Sequence, residues 1–108
     1  MSFFRRKDRP GVTRGPDSAD AQQLKAFATD RRGVEGFIEP ATQDTVTTLV
    51  LVAHDGEWLR RRVDSPKAAF AFGRSAAIPV YEVAAVGYPQ RMRDWNARNR
   101  RGNDQPAT

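Results

Sequence analysis

The sequence predicts an α+β domain: a small mixed or antiparallel sheet of about four strands around a central β-hairpin, packed by two or three helices in the order α-β-β-β-α-β-α. Three observations carry this. Thr45–Ala53 is a β-branched, apolar run. Asp55-Gly56 separates it from a second strand-like run, Trp58–Val63, which is a strong hairpin signal because an Asp-Gly turn supplies the positive φ that tight hairpins need. Ser65-Pro66 then opens a helical stretch that leads into a further apolar run, Ile78–Val86.

Taken in order, residues 1–16 read as a disordered basic tail, since Pro10, Gly11, Gly15 and Pro16 break any helix and apolar residues are few after Phe4. A single domain is expected over 17–100, and 101–108 reads as a second disordered tail. A first helix is predicted from about Ser18 to Arg32, capped by Asp17 or Ser18, with Asp20 in its first turn and Gly33 as the helix-ending glycine. Its apolar stripe is Ala21, Leu24, Phe27 and Ala28. Val34–Glu39 predicts a short strand, placed at an edge of the sheet because Pro40 cannot donate to a ladder.

For the hairpin, a two-residue loop of Asp55 and Gly56 sets His54 opposite Glu57 and Ala53 opposite Trp58. That register puts Thr48, Val50, Val52, Leu59 and Val63 on one face, with Arg61 among them. Leu49, Leu51 and Ala53 then share the other face with Trp58, Arg60 and Arg62. The first strand, apolar on both faces, is expected at the centre, and the second nearer solvent. In the second helix Ala68, Ala69, Phe70, Phe72, Ala76 and Ala77 supply apolar bulk, and Gly73 marks either a close contact with the sheet or a weak point. Ile78–Val86 reads as one buried strand closed by Gly87. A third helix from Pro89 to about Arg100 places Tyr88, Met92 and Trp95 on one face.

The chain has 108 residues, no cysteine and a net charge of +5. Without cysteine there is no disulfide framework and no thiolate-held zinc or iron–sulfur centre. No apolar run approaches the roughly 20 residues that span a bilayer. No long apolar stretch follows the basic N-terminus either, so a cytoplasmic protein without a membrane partner is expected. Charge is segregated. Lys and Arg outnumber Asp and Glu by eight to four over residues 1–32 and by five to two over 88–108, but trail by five to seven over 33–87. Basic ends on a mildly acidic centre suit phosphate backbones or acidic surfaces.

Candidate chemistry is sparse. His54, within His54-Asp55-Gly56-Glu57, is the lone histidine and the one obvious general base, but turns are polar for geometric reasons and a solvated hairpin tip is the expected reading. Glu35, Glu39 and Asp44 surround one strand and could flank a cleft or form a solvated face. No catalytic residue, cofactor or metal ligand is assigned. The binding candidates are Trp58, Arg60 and Arg62 on the hairpin, where guanidinium beside indole suits base stacking and phosphate contact, and Arg91, Arg93, Trp95 and Arg98 on the last helix. These point to a non-enzymatic module that binds nucleic acid or a ribonucleoprotein. The alternative is a protein-interaction module or homodimer built on an edge strand or on the Tyr88/Met92/Trp95 helix. An enzyme or small-ligand binder ranks third.

The stretch Ile78-Pro79-Val80-Tyr81-Glu82-Val83, running into Val86-Gly87-Tyr88-Pro89-Gln90-Arg91-Met92-Arg93-Asp94, with His54-Asp55-Gly56-Glu57-Trp58 upstream, resembles a family of short uncharacterised proteins from high-GC actinobacteria. The resemblance covers roughly residues 34–100 and implies no activity, cofactor or catalytic residue.

Overall fold

Leu49, Val50, Leu51 and Val52 are sealed from solvent, and the rest of the domain is arranged around them. The computed structural model describes residues 18–103; the expected tail 1–16, the Asp17 cap and residues 104–108 lie outside them. Helix α1 (Ser18–Asp30) leads into strands β1 (Glu35–Glu39), β2 (Thr48–Val52) and β3 (Trp58–Arg62). Helix α2 (Pro66–Ala76), strand β4 (Val80–Glu82), a single turn α3 (Val83–Val86) and helix α4 (Gln90–Asn103) follow. The sheet runs β3-β2-β1-β4, antiparallel except for the β1–β4 pair. The α+β class and the mixed four-stranded sheet are those the sequence predicts. Among the described residues no helix is long and apolar enough to cross a membrane.

The hairpin register differs by one residue from the prediction. The loop has three residues, His54, Asp55 and Gly56. Ala53 N–H donates to Glu57 O (2.8 Å) and Gly56 N–H to Ala53 O (2.9 Å), with Gly56 at φ +97°. The Asp55 carboxylate accepts from Glu57 N–H at 3.0 Å, which stabilises the longer turn. A one-residue slip exchanges every side chain between faces. Leu51 therefore opposes Leu59, while Val50 opposes Arg60 and Val52 opposes Trp58. The observed register is also the one that gathers the leucines.

One face then carries Ile38, Leu49, Leu51, Ala53, Leu59 and Val63, and receives Leu24 and Phe27 of α1 and Ala69 of α2. The other carries Phe37, Val50, Val52 and Trp58, and receives Val83, Tyr88 and Met92. At about 25 cal/mol per Å² of apolar surface removed from water, the larger leucine-face cluster is the stronger adhesive.

β2 is interior and β3 is an edge, as expected, but β1 is interior too, contrary to prediction. Pro40 falls one residue past the last paired position, Glu39–Thr48, so its missing N–H costs the ladder nothing. α1 stops at Asp30, short of Arg32. Ser65 caps α2 by accepting from Ala68 N–H at 3.0 Å, with Pro66 at the first helical position. Gly73 is a close contact: a Cβ there would collide with Val80 Cγ2.

The run Ile78–Val86 is not one buried strand. Only Val80–Glu82 pair with β1, Tyr81 and Glu82 are exposed, and Val83–Val86 coil into α3. Among the described residues no strand lies beyond β4 to hold a longer ladder, and Ala84-Ala85 favour a helical turn over extension. α4 runs on to Asn103, past the predicted end at Arg100 and into the segment expected to be a tail.

Candidate functional site

Apart from Arg62, which reaches Asp20 of α1, the binding candidates fall into two sets, those clamped into the valine face and those turned outward on α4. Arg60 belongs to the first. Its Nε and Nη2 donate to the two carboxylate oxygens of Glu39 at 2.7 and 2.9 Å, and its guanidinium lies 5.1 Å from the Trp58 ring. The Glu39 carboxylate also accepts from Thr48 Oγ1–H at 2.6 Å and from the Tyr88 hydroxyl. Burial pushes the Glu39 carboxyl up, but the hydrogen bonds from Arg60, Thr48 and Tyr88 outweigh it and hold the group down at about 2. Burial and the neighbouring carboxylate raise the Tyr88 hydroxyl. The guanidinium-beside-indole pairing is therefore present, but it is held by its own domain.

Trp58 and Trp95 are half-buried. Trp58 Nε1–H donates to Asn96 Oδ1 at 2.7 Å, and Trp95 packs over Gly56 at the hairpin tip. Arg62 is 57% exposed and sits 3.6 Å from an oxygen of Asp20. Arg91 is a clamp. It reaches Glu35 Oε1 at 2.7 Å, Ala53 O at 2.9 Å and Val52 O at 3.3 Å, tying the first turn of α4 to the end of β2. The Tyr88/Met92/Trp95 face docks on the chain's own sheet, with Met92 only 6% exposed.

Arg93, Arg98 and Arg100 form the second set. All three are exposed on α4, and none makes an ion pair with a described residue. Arg93 reaches only the Gln90 amide (3.4 Å), and Arg98 donates to Asp55 O at 2.9 Å. Arg93, Ala97 and Arg100, spaced i, i+4, i+7, line one outward strip of the helix. By contrast Arg31 pairs with Glu57, Arg60 with Glu39, Arg61 and Arg62 with Asp20, and Arg91 with Glu35.

The carboxylates do not converge. Glu35 and Glu39 lie at opposite ends of β1, each with its own arginine, and Asp44 is in the exposed loop after it. His54 is exposed in the hairpin loop, where its backbone N–H donates to Arg32 O. Among the described residues no group of three His, Cys, Asp or Glu is placed to hold a metal.

The sequence reading missed Glu39 as the hub of the valine face and Asn96 as the partner of Trp58, and it counted Arg100 in the charge of the last helix without placing it on an outward strip. Spacing on the helical wheel could have placed Arg100 beside Arg93. Nothing in the sequence pairs Glu39 with Arg60, since that contact depends on the β1–β2–β3 register. No protein-family model, no curated protein and no solved structure matches the chain.

Proposed function

We propose that the chain is a non-enzymatic binding module that grips the phosphate backbone of a nucleic acid through the outer face of α4. The observation that carries this reading is the sorting of cations. Arginines on the sheet are matched to carboxylates, whereas Arg93, Arg98 and Arg100 meet solvent along one helix that has five arginines and one aspartate. Favourable interaction of cations with a helix C-terminus contributes about 0.3–1 kcal/mol and falls off within the last turn. It accounts for Arg100 but not for Arg93, three residues from the start. Arg5, Arg6, Lys7, Arg9 and Arg14 add positive charge that the same backbone attracts. Trp58, Arg60 and Arg91 serve as the scaffold that fixes α4. Contact with backbone rather than base edges fits a surface without an aromatic platform or a groove-reading motif.

Fluorescence anisotropy with a labelled nucleic-acid duplex across a salt series tests it. Binding should weaken linearly on logarithmic axes as salt rises, and R93Q/R100Q should lower that slope by about 2, one per lost phosphate contact, with the fold unchanged. Undetectable binding at low salt, salt-insensitive binding, or an R93Q/R100Q variant that binds like the parent chain overturns it.

A further inference from the structure

On the leucine side of the sheet, a recess of about 460 Å³ lies between α1 and α2. Ala28, Phe72 and Ala76, all half-buried, form its floor, and Ala28 and Phe72 pack against the leucine-face core. Lys25, Thr29 and Ser75 stand exposed on its rim. Small-ligand pockets enclose about 300–1,000 Å³ and combine an apolar lining with a few polar groups that fix orientation. Lys25 supplies the charge in this lining, and it makes no ion pair or hydrogen bond with a described residue. Its neighbours one turn away on α1 are Ala21, Gln22, Ala28 and Thr29, none of them acidic. α2 contributes no carboxylate either, and its charged residues are Lys67 and Arg74. The recess is therefore apolar below and positive above.

Two other recesses lack this combination. The one at Val46, about 320 Å³, is lined by both signs of charge, Arg62 and Asp64, and Arg62 already meets Asp20. The one at Tyr81, about 180 Å³, carries Glu35, which Arg91 already holds. We infer that the recess between α1 and α2 binds a small amphiphilic monocarboxylate, its head group at Lys25 and its alkyl chain over Phe72 and Ala28. One ammonium matches one negative charge. A bare phosphate or a nucleic-acid backbone would leave the apolar floor uncovered, and an uncharged hydrocarbon would leave Lys25 unmatched. Ala21 and Thr29 both line the recess just over two turns apart on α1, about 12 Å along the axis. The recess thus runs along the helix and suits an extended chain.

A chemical-shift titration of the ¹⁵N- and ¹³C-labelled full chain with octanoate tests this. Signals of Ala28, Phe72 and Ala76 should move and saturate while those of Val46, Tyr81 and Val86 stay in place. Hexanoate, two methylenes shorter, should bind up to about 15-fold more weakly, about fourfold for each methylene that leaves the apolar floor. Lys25→Met keeps the apolar stem and removes the charge. It should weaken octanoate by about two- to fivefold, the span of an exposed ion pair, and leave octanol unaffected, whereas Lys25→Arg should bind octanoate like the parent chain. Shifts that do not saturate, shifts that centre on Val46 or Tyr81, or equal affinity of the parent chain and K25M for octanoate overturns the inference. No nucleic acid enters the experiment, and α1 and α4 pack on opposite faces of the sheet, so its outcome is separate from that of phosphate binding by α4.

Discussion

The two faces of the sheet are built from the same strands yet held by different physics. On the leucine face, Leu24, Phe27, Ile38, Leu49, Leu51, Val63 and Ala69 form an apolar cluster between sheet and helices. On the valine face the buried apolar set is Phe37, Val50, Val52 and Met92. There α4 is fixed by polar contacts: Arg91 to Glu35 and two carbonyls, Asn96 to Trp58, Arg98 to Asp55, and Tyr88 to Glu39. A helix this rich in arginine presents too little apolar surface to be held by burial alone. Directional contacts hold it instead, and they leave Arg93 and Arg100 exposed on its outer strip.

The largest effect should come from the leucine face. Leu51 is fully buried and central, so Leu51→Ala removes its packing and leaves a cavity that close-packed neighbours fill only in part. A loss of about 3–5 kcal/mol is expected, read as a lower urea midpoint with an unchanged slope. A loss below about 1 kcal/mol would show that the valine face, not the leucine face, dominates stability.

Gly56→Ala should separate the two faces. Gly56 is buried at φ +97°, and a Cβ there would collide with the Arg91 backbone oxygen and come within 2.8 Å of Trp95 Cβ. The backbone conformation alone costs about 1–3 kcal/mol for a residue with a side chain, and relief of the collision requires α4 to move. Amide exchange should accelerate at Met92–Asn96 while Leu49 and Leu51 remain protected, with a change in tryptophan fluorescence. Equal acceleration on both faces would mean that the domain opens as one unit and that the contrast between faces has no dynamic counterpart.

How far the sequence spoke divides along the same line. The leucine-face helices announce themselves: Leu24 and Phe27 lie at i, i+3, and Ser65-Pro66 is an explicit start signal. The Tyr88/Met92/Trp95 stripe marked the apolar side of α4, but the sequence left open whether that side docks on the domain or on a partner. The hairpin existed as read but slipped by one residue, because Asp-Gly fits both a two-residue loop and a longer one closed by a positive-φ glycine, and local residues do not choose between them. Here the choice falls to Leu51–Leu59 pairing and to the backbone of α4 resting on Gly56, both contacts across the fold. The same non-local dependence hid the Glu39–Arg60 pair, and with it the fact that the arginines of β3 are held by carboxylates.

Glu39→Gln tests whether the valine face is polar in its energetics as well as its composition. The carboxylate receives Arg60, Thr48 and Tyr88 together, so the amide should weaken the fold at neutral pH by about 1–3 kcal/mol, the range for disturbing charge-assisted hydrogen bonds that are partly screened by water. The pH dependence fixes the interpretation. In the folded chain the carboxyl titrates at about 2, against 4.5 for the unperturbed group. A depressed folded value stabilises the native state above the unfolded value, and that contribution disappears as pH falls from about 4.5 through about 2. The parent chain should therefore lose stability across that window more steeply than Glu39→Gln, and the two curves should converge at its lower end. Parallel curves would mean that Glu39 contributes shape alone and that α4 is held by Met92 and its apolar neighbours. In that case the arginines on its outer strip would owe nothing to the polar contacts beneath them.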